Sequence, residues 1–291
     1  MQVVFHIGAH CTDEDRLLKS LLKNREPLSQ RGISVPGPGQ YRKQIRQALK
    51  SMDGTTPTQE IIDELHKTVI SDNSTKRLLL SHENFLTFIP QIFAGKQLYK
   101  HAQLRLPALA ALFPGADIEF HLGIRNPASF IPAVFNQTRN MLFADFMFRM
   151  ALRDIKWSNL VHSIRTVCPD AKLTVWCNED APMIWSDLLH SLAGNETGLD
   201  LDGQDDLLAE IMQPYGLRRY YSYLESHPPA NTLQKRRIIS AFLDKFAIED
   251  QLEDEVDIAG WTQDLVDKLT DIYEADICKI KTISGVEFIQ A

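Results

Sequence analysis

The sequence predicts an α/β fold: a central, mainly parallel β-sheet flanked by helices in three layers, with a helical C-terminal half. Three observations predict it. Short strand-like runs, Val3 to Ile7, Arg77 to Ser81, Asp117 to Ile124 and Lys172 to Cys177, alternate with segments of helical period. The second run carries Leu78-Leu79-Leu80, apolar at successive positions, as a strand covered on both faces must be. From about Asp205 onward helical spacing predominates. At 291 residues and 44% hydrophobic, the chain can bury a large core, and one domain over 1–291 is expected. Within it, 35–72 reads as a helical insertion and 205–291 as the helical C-terminal part.

The first strand ends at Gly8, and from Thr12 the period becomes helical, with Leu17, Leu18, Leu21 and Leu22 on one face. Thr12 followed by Asp15 resembles a capping box, Asp13 and Glu14 add charge suited to a first turn, and the helix is expected to run to Gly32. Val35-Pro36-Gly37-Pro38-Gly39 forces a loop, and helices are expected over Gln40 to Ser51 and Pro57 to Ser71. The second strand ends in Ser81-His82-Glu83. A helix from Lys100 to Phe113 stops at Pro114-Gly115, and the third strand closes at Arg125-Asn126-Pro127. Helices follow over Ala128 to Asn140 and Trp157 to Val167, then the fourth strand and a helix from Pro182 to Ala193, the alternation of right-handed crossovers. Leu265, Leu269, Ile272, Tyr273, Ile277 and Ile280 mark the core-facing stripe of a last helix, Trp261 to Ile283.

Charge and cysteine usage limit the function classes. Lys and Arg number 31 against 38 Asp and Glu, a net charge of -7, which argues against nucleic acid held by diffuse positive charge. Cys11, Cys168, Cys177 and Cys278 form no CxxC pair and no zinc spacing, as expected of a reduced, cytoplasmic chain. No apolar run is long enough to span a membrane, and Met1 to Gly8 lacks a basic leader, so neither insertion nor export is expected. Homo-oligomerisation stays open.

In an open parallel sheet, ligands sit beyond the carboxyl ends of the strands, which directs attention to Gly8-Ala9-His10-Cys11-Thr12-Asp13-Glu14-Asp15. A phosphate there would meet backbone N–H groups and the positive end of a helix, and a working loop normally adds a Lys and small residues. Phe5-His6-Ile7-Gly8-Ala9-His10, the helix Leu17 to Arg25, and Gly32-Ile33-Ser34-Val35-Pro36 resemble the opening of the bacterial sulfotransferase-like proteins. That family reads His-Ile-Gly-Ala-His-Lys-Thr-Gly-Thr-Thr, then a helix and a Gly-Val-x-Tyr-Pro turn. Gly123-Ile124-Arg125-Asn126-Pro127 resembles its Arg-x-Pro element, and Ser81-His82-Glu83 and Tyr273-Glu274-Ala275-Asp276-Ile277 are also similar.

The resemblance implies a P-loop-type fold and transfer of a sulfuryl group from phosphoadenosine phosphosulfate to a hydroxyl or amine of an unidentified small-molecule acceptor. It places Gly8, Ala9, His10, Cys11, Thr12, Asp13, Arg125 and Ser129 along the nucleotide and makes His82 or Glu83 the candidate general base. Departures gather at the anion. Cys11 stands at the family's Lys, Asp13 at its Gly, Glu14 and Asp15 at its paired Thr residues, and Ala133 at the Ser that shares a phosphate with the Arg. Loss of a preorganised donor costs on the order of a hundred- to a thousand-fold in rate, before repulsion from the acids is counted. The alternative is therefore a catalytically inactive homologue that binds a ligand or a protein through the same cleft.

Each singled-out residue also has a plainer reading. His6, His10, Asp13, His82 and Glu83 could gather around a metal, but the spacing is no dedicated ligand motif, and no metal is expected. Cys11 is either a thiolate favoured by a helix N-terminus or a tolerated small residue beside three acids. His82 and Glu83 are a base or an ordinary loop pair. Lys235-Arg236-Arg237 is a phosphate contact or a solvated helix face. Phe130, Phe135, Phe143, Phe146 and Phe148 line an acceptor pocket or pack the core.

Overall fold

The computed structural model describes residues 1–52, 56–70, 74–138, 140–194, 198–248 and 258–291. Six strands, β1 (Gln2–His6), β2 (Ile33–Ser34), β3 (Arg77–Ser81), β4 (Asp117–Ile124), β5 (Lys172–Cys177) and β6 (Val286–Ile289), form one sheet in the order β2-β3-β1-β4-β5-β6. Every neighbouring pair is parallel, with β1 in register between β3 and β4 as Phe5 opposes Leu80 and Phe120.

Side chains alternate across β1 and β3, and each face finds its own apolar cover. On one side Val3, Phe5, Leu78 and Leu80 join the larger core. Its helices are α3 (Pro38–Met52), α4 (Gln59–Val69), α5 (Ala102–Ala111), α6 (Pro127–Asn136), α7 (Phe143–Phe146), α8 (Trp157–Val167) and α13 (Gln263–Ile280). On the other side Val4, Leu79 and Trp176 meet α1 (Arg16–Lys23), α2 (Arg25–Gln30) and α9 (Ala181–Ala193) through Leu17, Leu21, Leu28, Ile184 and Leu188. The remaining helices, α10 (Asp206–Ile211), α11 (Pro214–Ser226) and α12 (Thr232–Phe246), share a smaller cluster around Leu208, Met212, Tyr220 and Ile239. The three-layer α/β prediction holds, and β3, β4, β5 and α8 have the predicted bounds. Among the described residues no helix is long and apolar enough to cross a membrane.

Three predictions need correcting. The first helix starts at Arg16, because Thr12 does not cap it: its hydroxyl donates to the Ala9 carbonyl at 2.7 Å, while Asp13 Oδ2 accepts the Leu17 N–H at 3.1 Å. That helix also breaks at Asn24, whose amide donates to the carbonyls of Ser20 and Asp202 and accepts the Asp202 N–H. The edge strands β2 and β6 were unforeseen; two and four residues long, each exists through its pairing with a longer neighbour. The second insertion helix ends at Val69, and Ser71, its expected end, lies outside the described residues.

At the amino ends of the strands, Arg77 is buried against Glu119 at 2.6 Å and also donates to the carbonyls of Ser191 and Leu192. Arg77 Nη1 also donates to Gln2 Oε1 and Lys172 lies 3.5 Å from Glu119, so the buried ion pair has further polar partners, the condition for a buried charge to be tolerated.

Candidate functional site

The site grows from the carboxyl end of β1. There the ladder continues past the strand: Ile7 N–H donates to His121 O, Ala9 N–H to Gly123 O, and Gly123 N–H to Gly8 O at 2.7 Å. Gly8 has φ +98°, and a Cβ there would lie 3.2 Å from the Glu83 Cα, so glycine is demanded both by conformation and by close approach. The chain then turns through three non-glycine residues of positive φ, Cys11 (54°), Glu14 (49°) and Asp15 (65°). Such residues persist where the surroundings hold them. Here Arg125 Nη1 donates to the Cys11 carbonyl at 2.7 Å, Arg16 pairs with Glu14 at 3.3 Å, and Arg42 grips Asp15 with both Nη groups at 2.8 and 2.5 Å.

Arg42 extends from α3 and also donates to the Ser81 carbonyl, tying the turn to the end of β3. Burial opposes ionisation of Asp15, but the hydrogen bonds and charge of Arg42 prevail and hold it below the ordinary carboxylate value. Glu83 is in the opposite situation. Burial, then the charges of Asp13 and Asp15, push its carboxyl up from 4.5 to about 7, although it accepts the Cys11 backbone N–H. His82 is driven down to about 4 by burial and by Arg42, and it packs edge-on against Phe85.

His10 is buried and fully engaged. Tyr99 donates to its Nδ1 at 2.8 Å while accepting the His10 backbone N–H, and Nε2 faces Asn84 Oδ1 at 3.3 Å. Asn84 as acceptor places the proton on Nε2, and burial lowers the imidazole to about 4. His6 donates or accepts at Ser81 Oγ through Nδ1, and its Nε2 lies 3.9 Å from Asp13. Among the described residues no group of three or more His, Cys, Asp or Glu is placed to hold a metal ion.

The turn after β4 is the second wall. Arg125 Nε donates to Ser129 Oγ at 3.0 Å, and the Trp157 indole donates to the Arg125 carbonyl. Asn126 Oδ1 caps α6 by accepting the Ala128 N–H. Glu179, just past β5, accepts the Asn126 N–H at 2.7 Å and the Tyr273 hydroxyl at 3.0 Å, so α13 and two strand ends converge on one carboxylate.

Between these walls lies a cavity of about 750 Å³ over the carboxyl edge of the sheet, in the range of small-molecule sites. Cys11, Thr12, Asp13, Arg125 and Ser129 of the predicted site line it, together with Trp176, Trp185 and Trp261. Gly8, Ala9, His10, His82 and Glu83 are not among its lining residues; His82 borders a separate small recess with Arg42, Arg46 and Arg105. Neither member of the predicted base pair lines the cavity, although Glu83 reaches the loop at the Cys11 N–H.

Comparison of the chain with protein-family models, curated proteins and solved structures finds no match. The sulfotransferase resemblance therefore rests on the residues quoted above. Measured against the chemistry of phosphoadenosine phosphosulfate, the loop does not fit. The seat of the transferring group needs free N–H groups and a counter-charge. The Cys11 N–H goes to the Glu83 carboxylate, the Leu17 N–H to Asp13, and the Arg16 N–H to the Asp13 carbonyl. Internal acceptors thus take these three N–H groups.

The other candidates resolve as packing or pairing. Phe130 and Phe146 are fully buried in the larger core, with Phe135 and Phe143 packed against it, while Phe148 is exposed. Lys235 and Arg236 face Asp205 and Asp187 on the same molecule. Cys11 is 4% exposed and its sulfur accepts the Gln137 amide at 3.0 Å. Sequence reasoning misses Arg42, because its partner Asp15 lies 27 residues away on a different element. Glu179 had an available signal: a carboxylate directly after a central parallel strand stands where ligand groups gather.

Proposed function

We propose that the chain is a sulfotransferase-like scaffold that binds a small molecule in the cavity over the carboxyl edge of its sheet and does not transfer a sulfuryl group. One observation carries this reading: donors that an anion would use are spent within the loop, the Leu17 N–H on the Asp13 carboxylate at 3.1 Å and the Cys11 N–H facing Glu83. Asp13, Glu14 and Asp15 add repulsion, and no cationic side chain replaces the family's Lys at Cys11.

Calorimetry with adenosine 3′,5′-bisphosphate tests it. The expected result is no heat of binding up to millimolar ligand. Micromolar binding that disappears in Arg125→Ala would overturn the proposal. Sulfuryl transfer is the second reading, favoured by Glu83 at about 7, the range in which a carboxylate acts efficiently as a general base. The same titration decides between them, because transfer requires that the nucleotide bind.

A further inference from the structure

We infer that the cavity is a site for a planar organic cation, an aromatic ring carrying an ammonium group, and not for an anion. The inference rests on the proposed binding role and adds the chemical class of the ligand. Its first support is the balance of charge around the cavity. Asp13, Glu14 and Glu179 line it against Arg16 and Arg125. Arg16 is shared between two carboxylates, Glu14 at 3.3 Å and Glu210 at 2.5 Å, so an incoming anion would have to displace one of them. Arg125 spends Nε on Ser129 and Nη1 on the Cys11 carbonyl, bracing the two walls.

Asp13 and Glu179, by contrast, are held through neutral donors: the Leu17 N–H for the first, the Asn126 N–H and Tyr273 hydroxyl for the second. Each carboxylate keeps lone pairs beyond those bonds, and a charge-assisted bond to an ammonium group is about twice as strong as a neutral one. The imidazole nearest Asp13, His6, stands at 3.9 Å, beyond hydrogen-bond length, and its buried Nε2 has no hydrogen-bond partner among the described residues.

The second support is aromatic. Three of the four tryptophans in the chain line this one cavity. Trp176 and Trp185 are 2% exposed, with the Trp176 ring stacked on His6 at 5.7 Å between centroids, so the indole offered to a ligand is Trp261, half-buried, with its N–H fixed to the Ala128 carbonyl. Glycine at 123 is what admits the Trp176 ring, since a Cβ there would stand 3.1 Å from the indole. Indole faces carry negative quadrupole charge and attract cations, and they stack on flat rings of either sign. Carboxylates supply the discrimination that stacking lacks.

The test uses two probes of matched size, 2-phenylethylamine and 3-phenylpropionate, titrated into the full chain by calorimetry and by tryptophan fluorescence, with adenosine 3′,5′-bisphosphate alongside. The amine is expected to bind at least about tenfold more tightly than the carboxylate, quench tryptophan emission, and weaken as salt is raised. Glu179→Gln should reduce amine affinity several-fold; Asp13→Asn is the second variant should the first lose its fold. Equal or tighter binding of the carboxylate, or no binding of the amine at millimolar concentration, overturns the inference and leaves the proposed role standing. Tight, Arg125-dependent binding of the bisphosphate overturns the proposed role itself.

Discussion

Replacing Glu83 by Gln should make the protein more stable at alkaline pH and leave it unchanged in acid. In the folded state burial and the neighbouring Asp13 and Asp15 raise the carboxyl from 4.5 to about 7. Across that window the folded protein keeps a proton that the unfolded chain has lost, so stability falls as pH rises and levels off above about 7. At about 1.4 kcal/mol per pH unit the full penalty is about 3 kcal/mol. The side chain is partly exposed, and solvent screening reduces this to about 2 kcal/mol. Gln retains an acceptor for the Cys11 N–H and removes only the charge. Urea denaturation of both proteins at several pH values measures the effect. The variant should exceed the natural protein by about 2 kcal/mol at pH 8, with the difference shrinking below about 1 kcal/mol near pH 5. A difference of the same size at both pH values, or a less stable variant at pH 8, would refute the account of Glu83 as a carboxylate under strain from its neighbours.

Two further outcomes follow from buried contacts. Burial resists ionisation of Glu119, yet the nearby His121 and the hydrogen bond and charge of Arg77 hold it down at about 2, so its contribution is complete above 4.5 and is lost as pH falls through 2. Glu119→Gln should therefore cost about 3–5 kcal/mol at neutral pH by leaving Arg77 buried without its counter-charge, and chemical denaturation should show the gap closing in acid. Gly123→Ala should cost about 1–3 kcal/mol by driving a methyl group against Trp176, visible as a lower thermal midpoint and a shifted tryptophan emission, with Trp176→Phe in the same chain restoring part of the loss.

The candidate site was legible in part. Cys11, Thr12, Asp13, Arg125 and Ser129 meet at the cavity because β1 and β4 are neighbours, and their following turns must then face each other. Their acidic character was visible too, and it is what the structure elaborates: Asp13 caps α1 and Asp15 is bound by Arg42. His82 and Glu83 follow the same edge of the sheet, but β3 lies on the far side of β1 from β4, and neither residue lines the cavity. Sequence adjacency made them a pair, whereas the turn at Gly8 points Glu83 at the Cys11 N–H and leaves His82 beside Phe85 and Arg42.

The sequence by itself determined the strands that lie inside the sheet, because β1 and β3 carry apolar residues at successive positions, as helices on both faces demand, and β4 and β5 are short strand-like runs between helical segments. It also determined the helical second half, through apolar residues recurring at the helical period. Only the tertiary structure decided the rest. The edge strands β2 and β6 are too short to be stable without a paired neighbour, and the start of α1 was set by which oxygen reached the Leu17 N–H. The convergence of three tryptophans and two neutral-bonded carboxylates on one cavity belongs to the same class, since residues from 13 to 261 meet there through long-range packing, which no local pattern records.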